Sequence, residues 1–538
     1  MLAANILSIV TFLPLVGAVV ILLLPGGKEY LRAVRWGAFA ASVLTFLAGL
    51  YILAGFVPGE GLQFVIRIPW IPQLGAQYLM GVDGISLWLV LLNAFLFPLA
   101  ILASIGVITK QEKMYYACML FLETAITGVF LAQDLLLFFL FWEAVLIPMY
   151  FIIGVWGGKQ RLYATTKFVL FTMVGSILML VAIIALWLQT ANTGLGTSPT
   201  FEFSHFVGMP ISPQLAMWCF LAFSLAFAIK VPLFPFHTWL PDAHTEAPTA
   251  GSIILAGVLL KMGTYGFIRL AIPFFPGACF QGFRLGEVTF TMRDIIMALA
   301  VVGIIYGALV AAVQVDVKRL VAYSSVAHLG FVMLGLFSFN QQAVDGAILQ
   351  MVNHGISTGA LFMLVGFIYD RRHTRLITDF GGLAAVMPVY YNFFLILMLS
   401  SVGLPGLNGF VGEFLILIGS FQVNWLMTLI ATTGVILAAV YLLYVFRRMF
   451  FGDVTHDENR RLRDLTPREV WAVLPLAVMA LFIGLFPTPF LGRTTPDSQV
   501  TVAQMQQAEQ AAAGEVLSQS PDGLPGTLAM FGRTGGAQ

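Results

Sequence analysis

Residues 221–266 read LAFSLAFAIKVPLFPFHTWLPDAHTEAPTAGSIILAGVLLKMGTYG. Two apolar runs, one carrying Lys230 and the other Lys261, flank a polar turn bounded by prolines. Pro232 and Pro235 follow Lys230 at once. A proline removes a backbone donor and its ring clashes with the preceding turn, so a helix arriving here breaks just past the lysine. A charge at mid-bilayer costs roughly 2.5–3.5 kcal/mol on insertion scales, and it persists where protein or water surrounds it. Irregular backbone at membrane depth is tolerated under the same condition. The stretch therefore predicts a membrane helix broken beside a buried cation, inside a bundle of many helices.

Composition extends that reading to the whole chain. Of 538 residues, 59% are hydrophobic and 10% charged, against about 25% charged in soluble domains. Such a chain has too little polar surface to enclose its apolar content, which places it in the membrane class. A formal net charge of +1 offers nucleic acid no electrostatic footing. Cys118, Cys219 and Cys279 lie far apart in or beside apolar runs, so they do not supply the clustered thiolates of a zinc or iron–sulfur site. Redox chemistry, where it occurs, belongs to other chains. The first apolar stretch, Ile6 to Leu24, has neither a basic region before it nor a small-residue cleavage site after it, and reads as a membrane helix rather than a signal peptide.

A crossing takes about 20 mostly apolar residues. On that rule spans fall at roughly 4–24, 34–56, 84–106, 113–132, 134–156, 163–188, 213–239, 250–271, 294–314, 320–338, 343–369, 385–421, 424–446 and 469–490. The fold class is an all-α polytopic membrane protein of about fourteen spans. Most of the 27 Lys and Arg residues, among them Arg35, Lys113, Arg319, Arg371 and Arg447, gather in alternate connections. The excess of positive charge marks the cytoplasmic side and puts both termini on the other. The expected organisation is a three-helix segment over residues 1–112, a first five-helix unit over 113–271 and a second over 294–446. A cytoplasmic loop with the last helix follows over 447–492, then a polar tail over 493–538 rich in Gln, Ala, Gly and Ser.

A second interruption stands far along the chain, in LSSVGLPGLNGFVGEF, where Gly403 and Pro405 precede Glu413. The breaks fall in helices seven and twelve. Helices 4–8 and 9–13 then form two units of opposite topology, because five is odd, and paired interruptions of this kind point to a transport site. Isolated proline kinks are the plainer alternative. Glu143, His328 and His354 join Lys230, Lys261 and Glu413 as ionisable groups inside apolar runs. Each has its own plainer reading: a snorkelling lysine, a structural ion pair, a histidine satisfied between helices. Six such groups on separate helices favour a relay. Burial favours the neutral forms of Lys and Glu and an opposite charge reverses this, so a lysine that gains and loses an acid switches near neutral pH. Glu123, Asp134 and Lys167 sit near expected helix ends and carry little weight. In the turn after helix seven, His237 and His244 with Asp242 and Glu246 match no metal-ligand spacing, and the better reading is a cytoplasmic mouth that admits protons.

FLFWEAVLIPMYFIIGVWG, the opening stretch, RLVAYSSVAHLGF, VNHGISTGALFMLVG and GLPGLNGFVGEF together resemble the antiporter-like membrane subunits of respiratory complex I, above all the M type, called chain 4 in mitochondria. The resemblance covers residues 80–450 or so. It implies fourteen helices, two inverted repeats and a central hydrophilic axis. It also implies that Glu143 modulates Lys230, that Lys261 relays, that His328 and His354 continue the axis, and that Glu413 stands at the far exit. The expected activity is proton translocation driven by electron transfer from NADH or ferredoxin to quinone. NADH, flavin and iron–sulfur clusters are expected on partner subunits and none on this chain; the expected partners are other membrane subunits and the bilayer. A subunit of a multisubunit Na+/H+ antiporter, or a scaffold with vestigial charges, are the competing readings.

Overall fold

Capping explains where most of the long helices begin. Asp83, Asp134, Ser212, Thr291, Asp316, Asn340, Asn424 and Thr466 each accept a backbone N–H from the turn they precede, satisfying donors that a helix start leaves orphaned. The computed structural model describes residues 5–25, 27–192, 199–285 and 288–518. Helices α1 (Ile6–Leu23) and α2 (Leu31–Gly55) lead to an antiparallel hairpin of β1 (Gln63–Ile71) and β2 (Ala76–Val82), then to α3 (Gly84–Ser104). The hairpin, absent from the expectation, occupies the segment between the second and third predicted spans.

The first unit comprises α4 (Glu112–Leu131), the pair α5 (Leu135–Ala144) and α6 (Leu146–Trp156), α7 (Arg161–Asn192), and α8 (Pro213–Lys230) followed by α9 (Trp239–Glu246). Its last span is α10 (Thr249–Ile254), α11 (Leu260–Gly266) and α12 (Ile272–Phe274), joined by π-helical turns at Leu255–Leu259 and Phe267–Ala271. The short α13 (Pro276–Phe280) and a hairpin of β3 (Gly282–Leu285) with β4 (Val288–Thr291) connect to the second unit. That unit is α14 (Met292–Ala312), α15 (Val317–Phe337), α16 (Gln341–Arg372), the short α17 (Leu383–Val386), the pair α18 (Pro388–Val402) and α19 (Asn408–Val423), and α20 (Trp425–Phe450). The chain closes with α21 (Asp457–Arg460), α22 (Pro467–Leu485) and α23 (Thr488–Ser518).

Among the described residues thirteen helices are long and apolar enough to cross a membrane, and the shorter apolar helices α18 and α19 stand where a fourteenth span was expected. The overlong span expected at 385–421 is thus two half-helices around a turn. In each unit the first helix packs on the second, the second on the third, the third on the fourth, the fourth on the fifth and the fifth back on the first. The two units close in the same order although the second starts from the opposite face. Helices α3, α15 and α16 and the α10–α12 span are buried almost throughout, and α3, α10 and α16 pack on one another where the units meet.

The expected polar tail is different in kind. The boundary placed at residue 493 falls inside α23, a 31-residue helix that lies against α3, α12, α13 and α16. Its polar side chains have partners in the chain itself: Thr495 and Ser498 donate to Asp345, and Arg293 pairs with Glu509 at 2.7 Å. Residues 519–538 of that tail lie outside the described residues.

A buried polar axis across the two units

The break after Lys230 follows from proline chemistry. Pro232 has no N–H for the carbonyl of Ala228, and the N–H of Leu233 takes that acceptor at 2.8 Å. The carbonyl of Ile229 loses its own helical donor in consequence, and Trp239 Nε1 supplies a replacement at 2.8 Å. Lys230 is 1% exposed, and its Nζ has no hydrogen-bond partner among the described residues. It lies 5.0 Å from the centroid of the Trp142 ring and 5.9 Å from that of Phe168. Trp142 is held in place by its own bond to Ser176, at 3.0 Å.

Glu143 is the next residue after that tryptophan, and it is the charged group that acts on Lys230. The expected Glu143–Lys230 pair is not closed: no ion pair joins them within 4.0 Å, and Glu143 Oε1 is buried without a partner. Glu143 also stands at a break of its own, because α5 stops at Ala144 and α6 begins at Leu146. Pro148 is the cause, since its ring excludes the helical bond to Ala144. Lys230 thus sits at the end of α8, and Glu143 beside the interruption between α5 and α6.

Lys261 is fully buried and donates to the Ala256 carbonyl at 2.5 Å and to His354 Nδ1 at 2.7 Å. The first π-helical turn frees that carbonyl, a service π-bulges often perform at functional sites. A close approach lets the two helices meet here: a Cβ on Gly355 would stand 2.6 Å from the Gly257 carbonyl. The rings of His354 and His328 lie 5.9 Å apart, and His328 Nδ1 is 2.9 Å from Glu413 Oε1. Gln350 donates to the same carboxylate oxygen at 3.1 Å. The second break touches this acid directly, since Gly403 has φ +84° and a Cβ there would stand 3.2 Å from Glu413 Oε2. Asn353 and Asn408 bond each other's backbone carbonyls and stitch α16 to the start of α19. Lys261, His354, His328 and Glu413 thus form one line, with the Nε2 atoms of both histidines buried and unpartnered.

The two units repeat one arrangement with the charges exchanged. In the first, an acid on the second helix faces a cation at the break of the fourth. In the second, a histidine on the second helix faces an acid at the break of the fourth.

His237 and His244 behave differently from each other. His244 is not at a mouth: it is fully buried and stacked on Phe362 at 4.6 Å, with both ring nitrogens unpartnered. Burial, then the Lys318 and Lys261 charges, push it well below the usual imidazole range, so it is neutral at pH 7. His237 is buried against Phe234 and Tyr306, and burial followed by the Lys167 charge lowers it too. A cavity of about 240 Å³ is lined by Tyr115, Glu246, Asp370, Arg375 and Lys318, and it reaches Thr245, next to His244. Lys318 closes its inner wall by donating to the Ala247 carbonyl at 2.6 Å.

Three residues given little weight take distinct places. Glu123 is mid-helix and fully buried, bonded to Ser42 at 3.1 Å with its other oxygen unpartnered. Asp134 caps α5, and Lys167 pairs with Asp242 at 2.7 Å. Sequence reasoning missed Lys318 and the Asn353–Asn408 stitch, whose residue types carry no distinguishing pattern. Trp142 was legible only as part of FLFWEAVLIP. No group of three or more metal-binding side chains occurs among the described residues.

The sequence profile described as NADH:quinone oxidoreductase/Mrp antiporter, TM, matches residues 132–438, and that for the amino terminus of NADH-ubiquinone oxidoreductase chain 4 matches 63–129. The chain belongs to the antiporter-like membrane-subunit family of NADH:quinone oxidoreductases. It is 48% identical to NADH-quinone oxidoreductase subunit M of Rhodobacter capsulatus over 90% of this chain and 94% of that one. It is 42% identical to NADH-ubiquinone oxidoreductase chain 4 of Marchantia polymorpha, at 90% and 94% coverage. Among solved structures it superposes on a chain of respiratory complex I from Thermus thermophilus with TM-score 0.82 and 33% identity, covering 93% of this chain and 99% of that one. A chain of the Mrp complex from Dietzia shares the fold, with TM-score 0.79 at 18% identity over 95% and 100% of the two chains.

Proposed function

We propose that this antiporter-like subunit of respiratory complex I carries protons through the axis, taking no part in electron transfer. The observation that carries the reading is the buried line Lys261–His354–His328–Glu413, set beside Lys230 and Glu143, which form no ion pair. When Glu143 swings onto Lys230, the pair holds a proton on the amine. When it swings away, burial favours the free amine, and the proton leaves along the relay. His244, neutral and unpartnered, bridges from the Glu246–Asp370 cavity towards Lys261, while Lys318 guards the cavity floor. Glu413, beside the second break, releases the proton on the face opposite the basic connections. That face is the non-cytoplasmic side of the energy-coupling membrane, where both termini lie.

Electrons from NADH or ferredoxin reach quinone on flavin and iron–sulfur centres in partner subunits, since the cysteines here are buried and separate. Neighbouring antiporter-like subunits extend the same axis. The test is Lys261→Ala in the assembled complex, reconstituted in liposomes. Proton movement per NADH oxidised is expected to fall, because the line loses the amine that joins His354 to the first unit. An unchanged ratio would contradict the relay.

A further inference from the structure

Several arginines on the basic face of the second unit have an acid. Arg371 pairs with Glu469, Arg372 with Glu458, Arg375 with Asp316 and Arg460 with Asp457. Arg447 and Arg448, in the last turn of α20, are exposed and make no side-chain hydrogen bond or ion pair among the described residues. Both line a cleft of about 780 Å³ together with Tyr444, Asp453 and His456. Asp453 is the single acid on its wall, so the cleft is net positive at neutral pH. Directly above, Ile436, Val440, Leu443 and Tyr444 project from α20 at 63%, 58%, 46% and 58% exposure. Spacings of three and four residues put these side chains on one stripe that ends on the two arginines.

We propose that this cleft holds the phosphate headgroup of an anionic phospholipid whose acyl chains run up the α20 stripe. An apolar stripe at bilayer depth closed by unpaired cations at the interface matches a lipid in both parts. A water-soluble phosphate would use the arginines and leave the stripe bare. Basic pockets beside membrane helices attract such headgroups at roughly fivefold in affinity per cation. Arg447, Arg448 and the stripe lie outside the proton axis.

The test uses the intact complex in nanodiscs carrying a trace of photoreactive phosphatidylglycerol. Labelling is expected on the peptide spanning 440–456, displaced by unlabelled phosphatidylglycerol and not by phosphatidylcholine. The pair Arg447→Gln and Arg448→Gln is expected to reduce it roughly fivefold per charge removed, with Arg460→Gln as a neutral control. Equal displacement by both lipids in the wild-type complex would overturn the proposal, as would undiminished labelling in the double variant. Loss of a neighbouring subunit from the double variant would also overturn it, by assigning the cleft to a protein acid.

Discussion

Lys230 rests on two aromatic faces with its acid one residue beyond Trp142. A desolvated cation–π contact is worth about 2 kcal/mol, so the ring platform holds the ammonium whenever Glu143 is away. Trp142→Leu is expected to keep the complex assembled and to slow proton pumping more than a substitution on the lipid face of α5 does. Proteoliposome acidification against a matched Leu140→Ala control measures this. At this scale the sequence showed which groups are buried and concealed how they are held. A lysine followed by two prolines announces itself, because ammonium and broken helix both need shelter. Glu123 does not: an acid in the middle of a moderately apolar helix looks like any helix-end charge until Ser42 and the neighbouring helices cover it. His244 was read as lining a mouth, since its turn is polar, yet Phe362 seals it from solvent.

At the level of elements, three irregularities position the axis: the break after Lys230, the π-helical turns around Lys261 and the turn before Glu413. The first and third were legible because Pro and Gly are chemically distinct. The offset between α5 and α6 had a signal too, in Pro148, whose ring forbids the bond to Ala144. The π-helical turns had none, because an added residue in a helical turn changes no composition. Gly355→Ala tests their purpose. Its new Cβ meets the Gly257 carbonyl at 2.6 Å and forces α16 away from the Lys261 helix. Proton movement per NADH is expected to fall several-fold through the stretched Lys261–His354 contact, and His354 should become accessible to histidine-directed modification. Unchanged protection of His354 would show that the close approach serves packing alone.

For the whole molecule, α23 is the largest departure from expectation: a polar run expected as an exposed or partner-docked tail folds as a helix across both units. Its residues are polar because one face meets water and the other meets Asp345, Arg293 and backbone carbonyls. Asp345→Ala removes two hydrogen bonds to α23, from Ser498 and Thr495, and is expected to cost about 2 kcal/mol of docking free energy. Limited proteolysis within 499–518 of the intact complex should accelerate accordingly. A milder tie holds the β1–β2 hairpin, where Arg67 grips Glu202 at 2.7 Å and keeps its carboxyl below the usual range. That stabilisation is present above the unfolded glutamate pKa and disappears as pH falls through the lower folded value. With Arg67 half exposed it amounts to less than about 1 kcal/mol, so the melting difference between wild type and Glu202→Gln should be small at pH 7 and vanish at acid pH.

The two units, the two breaks and the axis between them stand on one claim, that Lys230 gains and loses a proton during turnover. The most direct measurement is the proton-to-NADH ratio of the assembled Lys230→Ala complex in sealed liposomes, taken beside an assembly check on a native gel. The structure predicts normal assembly with a sharply reduced ratio. Normal assembly with an unchanged ratio would contradict the account.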